Sequence, residues 1–108
     1  MAKIDETLLR EMTSCLVQTF QPEQVILFGS YAWGIPNEAS DIDLFVIVPE
    51  SSERPLQRAR RARACVGDVR VALDILVRTR AEADKYRHLY ASLECQIFEK
   101  GRVLYERS

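Results

Sequence analysis

Three acidic residues stand in segments that are otherwise apolar, and their type and spacing suit metal-dependent chemistry. Asp41 and Asp43 flank Ile42 at the start of an apolar run, and Asp74 interrupts a second run from Val71 to Val77. Since successive side chains of a strand point to opposite faces, Asp41 and Asp43 would share one face. A carboxylate among apolar neighbours is costly unless it is paired, hydrogen-bonded or bound to a cation. A divalent cation that prefers oxygen ligands, such as Mg²⁺, would satisfy all three carboxylates.

The carboxylates alone leave a simpler interpretation open, in which Asp41 caps the entrance of a strand while Asp43 and Asp74 reach solvent from an uncovered sheet face. The segment upstream favours the cation site. Gly29 and Ser30 directly follow a short apolar run. Glycine there permits a tight turn and close approach of the backbone, and a serine at a helix start offers its hydroxyl and N–H groups to a phosphate. Gly-Ser, ten residues and then Asp-x-Asp is far more specific than either part.

The elements that must position these residues alternate between helices and strands, which predicts an α/β architecture. Asp5 or Thr7 is the expected N-cap of the first helix, and Gly101 the expected stop of the last. The predicted helices are Thr7–Phe20, a short one after Gly29, Pro55–Val66 and a long one over Arg80–Lys100. The predicted strands are Val25–Phe28, Asp41–Val48, Arg70–Val77 and a short edge strand Val103–Tyr105, with a loop over 34–40.

Composition excludes several classes of protein. With 108 residues, 47% of them apolar, and a net charge of −1, the chain predicts one ordered domain over residues 1–108 and not a disordered segment. No apolar run approaches the roughly 18–20 residues that cross a membrane, and the charged first ten residues do not predict a secretory signal. Three widely spaced cysteines without Cys-x-x-Cys favour neither a disulfide framework nor zinc. We therefore expect a cytoplasmic protein whose reduced cysteines are buried apolar fillers.

A run of arginines in the third predicted helix has several interpretations. Five cations fall within ten residues, at Arg54, Arg58, Arg60, Arg61 and Arg63. They could form a solvated helix face, or an electrostatic dock for an acidic partner or for a triphosphate. Nucleic acid is not the expected partner, because the pI of the whole chain is only about 5.8.

At Gly29-Ser30, Asp41-Ile42-Asp43 and Asp74 the chain resembles the DNA polymerase β-type nucleotidyltransferase superfamily, and within it most closely the minimal nucleotidyltransferases (MNT). The resemblance spans most of the chain. It is carried by the first helix, Phe28-Gly29-Ser30-Tyr31, Ser40-Asp41-Ile42-Asp43-Leu44, Leu73-Asp74-Ile75 and the C-terminal Gly-x-Val-Leu-Tyr. It implies a nucleotidyltransferase-like fold, a small mixed sheet flanked by helices.

The resemblance also implies a mechanism. Asp41 and Asp43 would hold Mg²⁺ on the triphosphate of ATP, and Asp74 would join them at a second Mg²⁺ ion and help to activate the attacking hydroxyl. Two such ions together stabilise the attacking and the leaving oxygen. Gly29 and Ser30 would bind the nucleotide, with Ser30 contacting its β- or γ-phosphate.

Stand-alone MNT proteins lack the second domain with which larger nucleotidyltransferases hold their acceptor, and we expect none in these 108 residues either. In the resembled family they pair with all-α HEPN ribonuclease toxins as antitoxins, some by transferring AMP from ATP to a tyrosine of the toxin. We therefore expect a Mg²⁺-dependent adenylyltransferase that forms a hetero-oligomer with a HEPN-type toxin, away from membranes. Two alternatives stay open: a nucleotide-binding antitoxin that only blocks the toxin, and transfer to a small-molecule hydroxyl.

Overall fold

Five helices and four strands make up the part of the chain that the structure describes. The structure, a computed structural model, describes residues 5–34, 41–67, 72–87 and 92–107, without the side chains of Ser30, Trp33 and Tyr86. In chain order the elements are α1 (Glu6–Phe20), β1 (Gln24–Phe28), α2 (Ser30–Trp33), β2 (Ile42–Val48), α3 (Pro55–Val66), β3 (Leu73–Thr79), α4 (Arg80–Arg87), α5 (Leu93–Lys100) and β4 (Arg102–Glu106).

The four strands form one mixed sheet in the order β3-β2-β1-β4. β1 runs antiparallel to both β2 and β4, whereas β2 and β3 are parallel. Two parallel neighbours need a crossover between them, and α3 lies in that connection. The predicted α/β fold with a small mixed sheet flanked by helices is confirmed, including the short strand at the sheet edge.

Helices cover both faces of the sheet, which explains why β2 is apolar at nearly every position. One face packs against α1 and α3, with Leu44 and Val46 of β2 in that core. The other face packs against α4 and α5, with Phe45 and Ile47 in a second core. A strand buried on both faces reads as a continuous apolar run instead of an alternating one.

The predicted bounds of α3 are correct, and α1 starts at the expected cap, because the Asp5 carboxylate accepts hydrogen bonds from the backbone N–H groups of Thr7 and Leu8. β3 was predicted over Arg70–Val77, but the described strand spans Leu73–Thr79, since its last two residues still pair with β2. Residues 35–40 of the predicted loop, and 70–71 of the predicted strand, lie outside the described residues.

The prediction of one long helix over Arg80–Lys100 is wrong. Ser92 has an extended backbone (φ −71°, ψ 155°), and its hydroxyl accepts a hydrogen bond from the N–H of Cys95 at 3.0 Å. A serine that caps in this way starts a new helix, because its side chain replaces a helical hydrogen-bond partner. Two shorter helices, α4 and α5, therefore pack against each other over the sheet.

The arginine run of α3 divides into buried and exposed members. Arg58 is only 4% exposed, and its guanidinium makes a two-bond ion pair with Glu82 of α4 at 2.7 and 3.2 Å. It also donates to the backbone carbonyls of Glu53 and Val77, both at 3.1 Å. Arg58 thus joins α3, β3 and α4, a role that neither sequence interpretation of the run included.

Two further arginines of this run have partners within the described chain. Arg61 pairs with Glu53 at 3.0 Å and lies 4.4 Å from the ring centroid of Phe20. Arg63 donates to the carbonyl of Leu73 at 3.0 Å, which ties the last turn of α3 to the start of β3. Arg54 and Arg60 are also exposed, so Arg58 alone among the five arginines is removed from the surface.

No helix in the described part of the chain is both long and apolar enough to span a membrane.

We predict that Arg58→Met destabilises the fold by about 3 kcal/mol, the lower end for breaking a buried ion pair, because Glu82 keeps some contact with water. The matched control is Arg60→Met, an exposed arginine of the same helix, which should change stability by less than about 0.5 kcal/mol. Urea unfolding followed by circular dichroism measures both variants. Equal stabilities for the two variants would contradict the structural role of Arg58.

The pH dependence of stability provides a second test of the ion pair between Arg58 and Glu82. Hydrogen bonds from Arg58, together with those from Thr79 and against the effect of burial, lower the pKa of Glu82 from 4.5 to about 2. Since a depressed pKa stabilises the fold above the unfolded-state pKa, this contribution is complete above about pH 5 and is lost as the pH falls toward 2. The difference between wild type and Arg58→Met should therefore shrink over that range.

Candidate active site

Two of the three predicted carboxylates lie side by side on the parallel strands β2 and β3. Asp43 and Asp74 are register partners, so their Cα atoms face each other across neighbouring strands, which lie roughly 4.8 Å apart. Asp43 has the same parity along β2 as Phe45, and Asp74 the same parity along β3 as Leu76. Both carboxylates therefore point to the sheet face that α4 and α5 cover farther along.

Gly29 lies directly against this pair. It follows β1, whose last residue, Phe28, is the register partner of Asp43. A Cβ atom on Gly29 would overlap the Oδ2 atom of Asp43, and its φ of +76° is one that other residues rarely adopt. Only glycine leaves this space beside the carboxylate. Its carbonyl accepts a hydrogen bond from the N–H of Ala32 at 2.9 Å, which turns the chain into α2.

The environment of Asp43 holds its proton far more tightly than usual. Asp43 is half-buried, whereas Asp41 and Asp74 are exposed. Burial, then the charge of Asp74, then that of Asp41 raise the pKa of Asp43 from 3.8 to about 6. Two like charges near a partly desolvated carboxylate disfavour its ionised form. All three predicted carboxylates thus interact electrostatically at one end of the sheet.

The donor set fits a hard divalent cation. Three carboxylates supply only oxygen ligands, which Mg²⁺ prefers, and a cation between them would remove the repulsion that raises the pKa of Asp43. Within residues 5–34, 41–67, 72–87 and 92–107, no three His, Cys, Asp or Glu side chains are already gathered closely enough to ligate one ion. The carboxylates would have to turn toward the ion, as exposed side chains such as Asp41 and Asp74 are free to do.

The structure describes the backbone of the predicted nucleotide-binding residues Gly29 and Ser30. The backbone of Ser30 begins α2 directly after Gly29, at the same end of the sheet as the carboxylates. The Ser30 side chain lies outside the described atoms, so its predicted phosphate contact stays a prediction. The sequence predicted a turn at Gly29. It could not show that this turn lies against the side chain of Asp43, because the two residues come together only through the pairing of two separate strands.

A groove lies elsewhere, between α1 and the edge strand β4. It encloses about 510 Å³ and is lined by Leu9, Val17 and Tyr105, among others. An ion pair between Glu6 and Arg102 at 2.8 Å crosses one part of its lining. Since Asp43 and Asp74 point to the opposite face of the sheet, this groove is separate from the carboxylates.

We predict that Asp43→Asn raises the melting temperature by several degrees at pH 7.5 and by much less at pH 4. In the unfolded chain the Asp43 proton leaves near pH 3.8, but in the fold it stays until about pH 6. The fold therefore loses stability as the pH rises between these values, and a neutral asparagine avoids that loss.

Thermal unfolding across this pH range, without divalent metal, measures the effect. Glu50→Gln removes an exposed carboxylate outside the cluster and serves as the control, with no change expected at either pH. An Asp43→Asn variant that is equally stable or less stable than wild type at pH 7.5 would show that the carboxylates do not repel one another as described.

Comparisons with known proteins identify the family and the fold. Residues 9–105 match the family described as the nucleotidyltransferase domain. Among solved structures, the fold is similar to the crystal structure of a candidate nucleotidyltransferase from Sulfolobus solfataricus, with a TM-score of 0.65 and 20% identity over 94% of this chain and 79% of that chain. Identity this low supports the fold alone, and a comparison with curated protein sequences finds no match. Because the family match spans nearly the whole sequence, this chain belongs to the nucleotidyltransferase domain family.

Proposed function

We propose that this nucleotidyltransferase transfers AMP from ATP to a tyrosine of a HEPN-type ribonuclease toxin and thereby acts as its antitoxin. The observation that carries the transfer chemistry is the carboxylate pair Asp43 and Asp74, in register on parallel strands, with Gly29 leaving space beside it. The choice of acceptor rests on the resemblance to minimal nucleotidyltransferases and on the exposure of the carboxylates.

The proposed reaction exchanges a phosphoanhydride bond of ATP for a phosphodiester bond between AMP and tyrosine. The tyrosine hydroxyl oxygen forms a bond to the α-phosphorus of ATP, and the bond from that phosphorus to the oxygen bridging the α- and β-phosphates breaks. Pyrophosphate leaves with the electron pair of the broken bond, and the hydroxyl proton passes to a carboxylate. Positioning and charge neutralisation dominate the catalysis of such transfers.

The proposed roles of the three carboxylates differ, since two of them would bind the nucleotide and one would activate the acceptor. Asp41 and Asp43 are the residues that would hold Mg²⁺ on the triphosphate, and Asp74 is the group we assign to activating the tyrosine hydroxyl. When bound, Mg²⁺ would neutralise the phosphate oxygens and make phosphorus more open to attack. Gly29 lets the backbone approach the phosphates, because a side chain there would occupy the space next to Asp43.

The openness of the site favours a macromolecular acceptor. Asp41 and Asp74 are exposed and Asp43 is half-buried, so a hydroxyl on the surface of another protein can reach them without entering a cavity. The nucleotidyltransferase domain takes up residues 9–105, so acceptor recognition within this sequence falls to the surface of that domain. A second chain that presents its own tyrosine would complete the site.

We predict that Asp43→Asn lowers AMP transfer at least about a hundredfold, since loss of a metal ligand costs roughly 3 kcal/mol of transition-state stabilisation. The assay uses ATP labelled at its α-phosphate, Mg²⁺, and the protein co-expressed with a HEPN-type gene product, the partner proposed above. Label on that product, its loss in EDTA, and wild-type transfer by the Glu50→Gln control are the expected results. Because Asp43→Asn should stabilise the fold at neutral pH, lost activity cannot be assigned to unfolding.

The same experiment separates the alternatives. If Asp43→Asn still neutralises the toxin fully in cells, the protein acts by binding and the transfer proposal is wrong. If wild-type protein labels a small hydroxyl compound such as an aminoglycoside and not the partner, transfer to a small molecule replaces the proposed acceptor.

A further inference from the structure

Thiols from two different helices lie together where α1 packs against α3. The Thr19 Oγ1 atom and the Cys65 Sγ atom are 3.0 Å apart, within hydrogen-bonding distance. Cys15 is four residues before Thr19 on α1, and residues four apart share a helix face. Cys15 and Thr19 therefore both face the last turn of α3, where Cys65 lies.

The electrostatics of Cys15 agree with this placement, which follows from the contact between Thr19 and Cys65. Burial raises the pKa of Cys15, and so do the charge of Cys65 and a hydrogen bond with Cys65. Each is half-buried in the reduced form, so a small solute can reach the pair from solvent. This arrangement differs from the expectation that the cysteines are buried apolar fillers.

We propose that Cys15 and Cys65 form a redox modification site, at which a peroxide converts the two thiols into a reversible disulfide between α1 and α3. This inference is independent of the proposed toxin partner. It concerns two residues that the nucleotide chemistry does not use, on the face of the sheet opposite to Asp43 and Asp74.

The oxidation balances with one molecule of hydrogen peroxide. Because the raised pKa of Cys15 keeps that thiol protonated, we assign the attacking thiolate to Cys65. It attacks one peroxide oxygen to give a sulfenic acid, and the other oxygen leaves as hydroxide, which takes a proton from solvent to become water. The second thiol then displaces the sulfenic oxygen as another water, which forms the S–S bond. The two sulfur atoms together lose two electrons, and a dithiol reductant restores both thiols by exchange.

The bond would act on the helix that leads to β3. Cys65 lies in the last turn of α3, two residues after Arg63, whose guanidinium holds the carbonyl of Leu73. Leu73 immediately precedes Asp74. Oxidation would therefore fasten to α1 the end of α3 that is tied to the Asp74 strand. It would also close a loop of nearly half the chain, which restricts the unfolded state and raises the melting temperature.

The test counts free thiols before and after mild treatment of the whole protein with hydrogen peroxide. Iodoacetamide labelling after denaturation should fall from three modified cysteines to one, with a mass loss equal to two hydrogens in the monomer. Peptide mapping should find the Cys15 peptide joined to the Cys65 peptide. The melting temperature should rise and return to its starting value after dithiothreitol.

Two variants make the assignment specific. Cys95→Ser removes the thiol of α5 and should leave oxidation and the thermal shift unchanged, whereas Cys65→Ser should abolish both. The proposal is overturned if wild-type protein keeps three labelled thiols, if it yields disulfide-linked dimers through Cys95, or if Cys15 or Cys65 is converted directly to a sulfinic acid. The wild-type peptide map alone decides among these outcomes, whatever the stability of the variants.

Discussion

The parallel pairing of β2 with β3 is the constraint on which the candidate active site depends. It sets Asp43 opposite Asp74, and a parallel pair exists only because α3 carries the chain back to the start of the next strand. Two arginines secure that crossover, since Arg58 holds the carbonyl of Val77 and Arg63 holds that of Leu73. Arg58 and Arg63 thus contribute to the site from the opposite face of the sheet, by fixing the positions of the strands.

The pairing of β2 with β3 also brings Asp43 close to Asp74, and the repulsion between their carboxylates lowers the stability of the fold. Burial and two neighbouring carboxylates make ionisation of Asp43 unfavourable, as the raised pKa of that group records. The closely packed cores on both faces of the sheet offset this cost. Residues that reduce stability while clustering with like charges are typical of sites shaped for a ligand, because a cation converts their repulsion into attraction.

The sequence predicted those parts of the structure that depend on neighbours along the chain. The cap at Asp5, the bounds of α3 and the Asp-x-Asp strand follow from local pattern. Contacts between distant segments could not be predicted in this way. Arg58 and Arg60 have the same residue type and lie on different faces of one helix, but the partners that bury Arg58, Val77 of β3 and Glu82 of α4, are distant in sequence.

The most direct test of the metal–nucleotide site uses the paramagnetism of Mn²⁺ in the presence of ATP. Backbone amide signals of a nitrogen-15-labelled protein are recorded with Mn²⁺ and ATP, and with Mg²⁺ and ATP as the diamagnetic reference. The structure predicts selective broadening at Gly29, Asp43 and Asp74, with sharp signals at Val17 and Tyr105 in the groove between α1 and β4. Broadening in that groove with sharp signals at the three site residues would contradict the account.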